Sequence, residues 1–148
     1  MKKLLILGGS GFFGKSIVDY GIEKKLIKYK INEIYVVSRS KSSKKKKYKH
    51  IKITYITKNI TNLKKLPKVN YIIYCLKSKS INSSDKYFNC FFKLLKSLQK
   101  KPKILFTSSG AVYGKIKIKK VENTVINYKK INELSGYKKK YALEKVYM

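Results

Sequence analysis

Tyr141 and Lys145 stand four residues apart in Tyr141-Ala142-Leu143-Glu144-Lys145, and on a helix that spacing puts both on one face. An ammonium beside a phenol stabilises the phenolate and draws the tyrosine pKa down from about 10 towards working pH. Such a pair can take a proton from a substrate hydroxyl and return it. Spacing alone is a weak signal, because Tyr-x-x-x-Lys occurs four times, starting at Tyr20, Tyr48, Tyr113 and Tyr141. Context selects the last pair. It alone opens a predicted helix, starting near Gly136, and follows the hydroxyl-bearing stretch Thr107-Ser108-Ser109-Gly110-Ala111-Val112-Tyr113-Gly114. Ser109 there has the chemistry to hold the oxygen that gains or loses the proton.

A second group lies at the start of the chain, in Leu4-Leu5-Ile6-Leu7-Gly8-Gly9-Ser10-Gly11-Phe12-Phe13-Gly14. Gly9-Ser10-Gly11-Phe12-Phe13-Gly14 fits G-x-G-x-x-G, and Gly8, Gly11 and Gly14 fit G-x-x-G-x-x-G. Without Cβ atoms the chain can turn sharply out of a strand and lie against a phosphate. A helix starting near Gly11 would aim its unpaired N–H groups and positive end at the same spot. The alternative is a glycine-rich turn with no ligand. The apolar strand before it and the helical spacing after it favour a nucleotide bearing a pyrophosphate.

These residues need a scaffold, and the pattern predicts one. Strands are expected at residues 3–7, 33–38, 51–56, 70–76 and 103–107. Helices are expected at 12–28, with Phe13, Ile17, Val18, Ile22 and Leu26 at helical spacing, and at 85–99, with Phe88, Phe91, Phe92, Leu95 and Leu98 inward. A helical turn is expected at 62–66, a basic serine-rich loop at 41–49 and a polar stretch at 115–135. Strands joined by crossover helices imply an α/β fold with a parallel, doubly wound sheet. Its ligands sit beyond the carboxyl ends of the strands, which would bring Ser109 to the edge carrying the glycine turn.

At 148 residues the chain is read as a single domain. The apolar run after Met1-Lys2-Lys3 is broken by Gly8-Gly9-Ser10, too short for a signal-peptide core. No segment approaches the roughly eighteen apolar residues of a membrane span, so no membrane partner is expected. Cys75 and Cys90 lie outside any metal or redox spacing and read as reduced core thiols of a cytoplasmic protein. His50, the one histidine, sits at a strand start and gives no metal site.

The net charge of +30 invites a nucleic-acid reading. Yet Arg39 is the only arginine, although base readout and bidentate phosphate contacts favour arginine. The lysines are spread along the chain, and it is rich in Ile, Tyr and Asn with only Ala111 and Ala142 as alanines. Compositional drift accounts for that pattern, leaving non-specific, salt-sensitive binding to nucleic acid as the expectation.

The glycine turn, the motif Ser108–Gly114 and the Tyr141/Lys145 pair, in this order, resemble the extended short-chain dehydrogenase/reductase superfamily, in particular the nucleotide-sugar epimerases and dehydratases. The resemblance implies a Rossmann-like NAD(P)-binding domain over 1–148. Tyr141 would then be the general acid/base on a sugar hydroxyl, with Lys145 lowering its pKa and binding the nicotinamide ribose. Ser109 would orient the reacting oxygen. Gly8, Gly11, Phe12, Phe13 and Gly14 would cradle the pyrophosphate, mostly through backbone, and Asn59 would stand where such enzymes place an Asp against adenine.

Departures from the family pattern refine this. NAD-binding members carry an acidic residue at the end of the second strand, where this chain has Ser38-Arg39-Ser40. Arginine suits the 2′-phosphate of NADP, so NADP is favoured with NAD as the alternative. Gly110-Ala111 replaces the Asp-Glu of the dehydratases, favouring epimerisation or reduction. The chain ends inside the catalytic helix, before the family's substrate domain, so the expectation is either the N-terminal part of a longer enzyme or a degraded relative. Alone it would bind cofactor weakly and turn over poorly; at full length, the expected partner is a second copy, as a homodimer. The rival from another class is a non-catalytic dinucleotide sensor or a basic nucleic-acid-binding protein on the same fold.

Overall fold

The structure is a computed structural model that describes residues 1–40, 48–76, 81–108, 126, 128–134, 139 and 142. The chain divides into two compact units, Met1–Lys77 with Lys86–Phe106, and Ser78–Asp85 with Thr107–Met148. Strands β1 (Lys2–Leu7), β2 (Ile31–Ser38), β3 (Lys52–Thr57), β4 (Tyr71–Tyr74) and β5 (Lys103–Phe106) form one sheet in the order β3-β2-β1-β4-β5. All four pairings are parallel. Helix α1 (Phe12–Ile22) joins β1 to β2, and α2 (Ile81–Lys96) joins β4 to β5. This is the expected α/β sheet, Rossmann-like in strand order.

Position in the sheet explains the burial. Leu4, Leu5, Ile6 and Leu7 of the central strand are all buried, as a strand covered on both faces requires. Under α1, Leu4 and Ile6 cluster with Val18, Leu26, Ile31, Ile34, Val36 and Ile51. On the other face Tyr74 meets rings from residues 86–96 of α2 and from β5: Phe91 at 5.0 Å, Phe106 at 5.4 Å and Phe88 at 5.8 Å. Leu105, next along β5, is 60% exposed on the α1 side. With Ile17, Leu26, Tyr71 and Ile73 it lines an apolar groove of about 330 Å³.

Several expectations shift. The helix expected over 12–28 ends at Ile22. Lys24 and Lys30 have positive φ, and a 3-10 turn at Ile27–Tyr29 lies between them. Leu26 is still buried, so the apolar period runs on after the helical backbone has stopped. Among the described side chains of α2 the buried ones are Phe91, Leu94 and Leu95, whereas Phe92 is exposed. The turn expected at 62–66 is a 3-10 turn at Ile60–Asn62, because the Asn59 side chain accepts from Thr61 N–H and caps it there. In the second unit, helix α3 (Tyr128–Asn132) lies within the stretch read as polar, with Ile131 buried. Of the last predicted helix, Lys139 and Ala142 are described, and both are helical.

Cross-strand register also pairs charge. Lys3, Glu33 and Lys52 lie opposite one another on β1, β2 and β3. Glu33 is held by Lys3 at 2.8 Å and Lys52 at 3.4 Å. Those lysines and a Tyr35 hydrogen bond keep the Glu33 carboxyl below the usual carboxylate range, the Lys3 hydrogen bond most of all.

Candidate functional site

β1 ends at Leu7, and the next residue, Gly8, turns with φ +95°. A Cβ there would stand 2.7 Å from the Cys75 carbonyl oxygen, so only glycine lets the chain pass β4 at this level. Gly8 and Gly9 N–H both donate to Val37 O, at 2.9 and 3.0 Å, which ties the turn to β2. Gly11 N–H donates to Gly8 O at 3.0 Å, and Gly11 is the N-cap of α1 in extended backbone, with no side chain to cap the helix. The helical ladder begins at Lys15 N–H to Gly11 O. Phe12, Phe13 and Gly14 therefore offer N–H groups with no helical partner, and the first turn carries no acid to compete for them. That is the equipment of an anion site.

The turn opens on a cavity of about 140 Å³ at the carboxyl ends of β1–β4. Its walls bring Gly8, Ser10 and Gly11 together with Arg39, Lys58, Asn59, Leu76 and Tyr87. Ser38, buried at the end of β2, donates from Oγ to Ser40 O at 2.7 Å and so fixes the bend that carries Arg39. Asn59 Oδ1 accepts from Thr61 N–H at 3.3 Å, while its Nδ2 donates to the Tyr87 hydroxyl at 3.4 Å. The amide is thereby oriented with its second N–H uncommitted by these bonds. A larger hollow, about 470 Å³, lies at the opposite edge among Lys3, Asn70, Ser97 and Lys100, away from the glycine turn.

Of the residues singled out in the sequence, Gly8, Gly11, Arg39 and Asn59 line this one cavity. Phe12 and Phe13 are not among its lining residues; they are 81% and 54% exposed, with their rings packed edge to face. Gly14 has a packing role: a Cβ would come within 2.5 Å of Gly8 O. Ser109, Tyr141 and Lys145 lie outside the described residues. Ser10, Lys58 and Tyr87 were not foreseen. Lys58 had a faint signal in directly preceding Asn59 after a strand; Tyr87 had none. Neither Cys75 nor Cys90 is in a disulfide; both are half-buried, and Cys90 Sγ donates to Ile60 O. His50 Nε2 lies 3.2 Å from Gly21 O. Among the described residues no cluster could hold a metal ion, and no helix is long and apolar enough to cross a membrane.

An open parallel sheet with a glycine-rich strand-to-helix turn at its switch point defines the class of nucleotide-binding α/β proteins. Residues 4–147 match the model of the NAD dependent epimerase/dehydratase family. The chain belongs to that family. Among solved structures it resembles the UDP-glucose-4-epimerase from Stenotrophomonas maltophila with bound NAD and formylated UDP-arabinopyranose, at 16% identity and TM-score 0.59, covering 99% of this chain and 46% of that one. It also resembles the NAD dependent NDP-hexosamine 5,6-dehydratase of tunicamycin biosynthesis, at 20% identity and TM-score 0.59, covering 99% and 47%. A third is glucuronic acid dehydrogenase from Chromohalobacter salexigens, at 14% and 0.58, covering 99% and 52%. Such identities establish the fold alone. The chain spans about half the length of these structures. No curated protein sequence matches it.

Proposed function

We propose that this chain is the cofactor-binding portion of an NAD(P)-dependent epimerase or reductase acting on a nucleotide-linked sugar, with NADP preferred to NAD. One observation carries the reading: a single cavity joins the Gly8–Gly11 turn to a strand end that presents Arg39 where a ribose-binding carboxylate would otherwise stand. The residues fit the group. Gly8 lets the turn pass close to the Cys75 backbone, where a Cβ would clash, and the N–H groups at the start of α1 would face a pyrophosphate. Arg39 matches a 2′-phosphate, and Asn59 offers an amide to adenine. Nicotinamide, when bound, supplies the hydride acceptor and donor.

The chain's own residues do the rest. Tyr141 takes the proton from the sugar hydroxyl oxygen and returns it, Lys145 favours its phenolate, and Ser109 holds the reacting oxygen. Gly110-Ala111 after Ser109, in place of the Asp-Glu of the dehydratases, favours epimerisation or reduction over dehydration.

A fluorescence titration tests this. NADPH emission should rise on adding the protein and persist at about 150 mM salt, where exposed charges are largely screened beyond about 8 Å. In any form of the protein that turns over a nucleotide sugar, Tyr141→Phe should abolish turnover and leave the NADPH titration unchanged. Retained activity removes Tyr141 from its role. Salt-sensitive RNA binding with no response to NADPH would support the nucleic-acid-binding rival, for which the charge of +30 is the argument.

A further inference from the structure

We infer that Lys58 is a second specificity residue, forming with Arg39 a two-cation rim that recognises a phosphate monoester on the adenosine ribose. The inference rests on the cofactor reading above and adds a residue to it.

The argument starts from register. β2 and β3 run parallel with Ser38 opposite Thr57, so the residues that follow them, Arg39 and Lys58, leave neighbouring strands at the same level. Two hydrogen bonds hold them there. Lys58 N–H donates to Ser38 O at 2.9 Å, tying one strand end to the other, and Ser38 Oγ to Ser40 O braces the bend at Arg39. Both residues line the cavity that contains Gly8, Ser10 and Gly11, and no carboxylate is among its lining residues. Among the described residues neither is engaged in an ion pair, although Lys3, Lys25 and Lys52 all are.

Chemistry then separates the possible guests. A ribose with two free hydroxyls wants an acceptor, usually a carboxylate. Arg39 and Lys58 can only donate. Two donor-only cations at one cavity repel each other, and a doubly charged phosphate bound between them would relieve that repulsion while filling both sets of donors. The planar guanidinium can grip two oxygens, and the ammonium serves as a point charge on the third. A lysine placed here by composition alone would weaken all anions alike when removed. A lysine that reads the monoester would act on one dinucleotide and spare the other.

The test titrates NADPH and NADH against the full 148-residue chain at about 150 mM salt, with Lys58→Met, Arg39→Met, Lys58→Arg and the control Lys64→Met. Wild type should bind NADPH at least about tenfold more tightly than NADH. Lys58→Met should weaken NADPH about tenfold and move NADH by less than about twofold, the tenfold step being one lost charge-assisted contact. Lys58→Arg should restore the preference, and Lys64→Met should leave both affinities within twofold. Equal loss for both dinucleotides on Lys58→Met, or no loss while Arg39→Met abolishes the preference, overturns the role of Lys58 and leaves the cofactor reading standing. Wild type that binds neither dinucleotide overturns that reading and this inference with it. Circular dichroism of each variant separates lost binding from lost folding.

Discussion

Gly14 poses the sharpest question at the scale of one residue, because two effects of opposite sign meet there. Replacing a helical glycine by alanine ordinarily stabilises a helix by about 1 kcal/mol. At Gly14 the new Cβ would fall 2.5 Å from Gly8 O and 2.6 Å from Gly9 Cα, both backbone atoms of the turn. Backbone cannot swing aside as a side-chain tip can. Overpacking of this kind costs about 1–3 kcal/mol and outweighs the helix gain. Gly14→Ala should therefore lower the urea midpoint and weaken NADPH binding, since α1 must lift off the turn that aims its N–H groups. Lys15→Ala, exposed on the same helix, should leave both within error. An unchanged midpoint for Gly14→Ala would mean that the turn is slack. The glycines, Arg39 and Asn59 were legible in the sequence for a physical reason: backbone demands and strand ends are local, and parallel topology alone gathers such ends at one edge. Lys58 was barely legible and Tyr87 not at all. With 37 Lys and Arg and 13 Tyr in the chain, neither type stands out. What places them is the β2–β3 register and one face of α2, which are tertiary facts.

Between elements, the Lys3–Glu33–Lys52 ladder ties three neighbouring strands at the edge remote from the cavity. The Glu33 carboxyl sits below its ordinary value because the Lys3 hydrogen bond outweighs its desolvation. A carboxyl whose folded pKa is lowered contributes stability above the unfolded value, about 4.3, and loses it as pH falls through the folded value. Glu33→Gln should thus destabilise by about 1 kcal/mol at neutral pH, held to that size because Lys3 and Lys52 are largely in water. The difference should shrink towards zero in acid, where the wild-type carboxyl is protonated too. Urea melts of both proteins between pH 3 and pH 7 check this; a gap that stays constant with pH would deny the ladder its charge. Elements explain as well where the sequence pattern misled. Apolar spacing through Ile22 and Leu26 extends the expected helix, yet Lys24 adopts positive φ and the segment folds back as a 3-10 turn with Leu26 still buried. Periodicity reports which side chains are covered, and here covered side chains continue past the last helical hydrogen bond.

For the whole molecule the governing quantity is a net charge of +30 on 148 residues. Fields of that size attract any polyanion, and they also raise the free energy of the compact state by self-repulsion. Both effects act mainly through solvent and are screened over a Debye length of about 10 Å at 0.1 M salt. The cavity is different: its cations act on one phosphate at contact distance, so salt reaches them less. This separates sequence-independent attraction from a built site without any mutation. A single-stranded RNA that engages about six lysines should lose about three-hundredfold in affinity between 50 and 200 mM salt, by counterion release. NADPH, with few charges to neutralise, should lose far less over the same interval, and the urea midpoint should rise as self-repulsion is screened. Parallel log–log plots of the two affinities against salt give the answer. If the NADPH slope were as steep as that of RNA, the dinucleotide would be held by the general field of the lysines, and the turn at Gly8 would have no special claim on it.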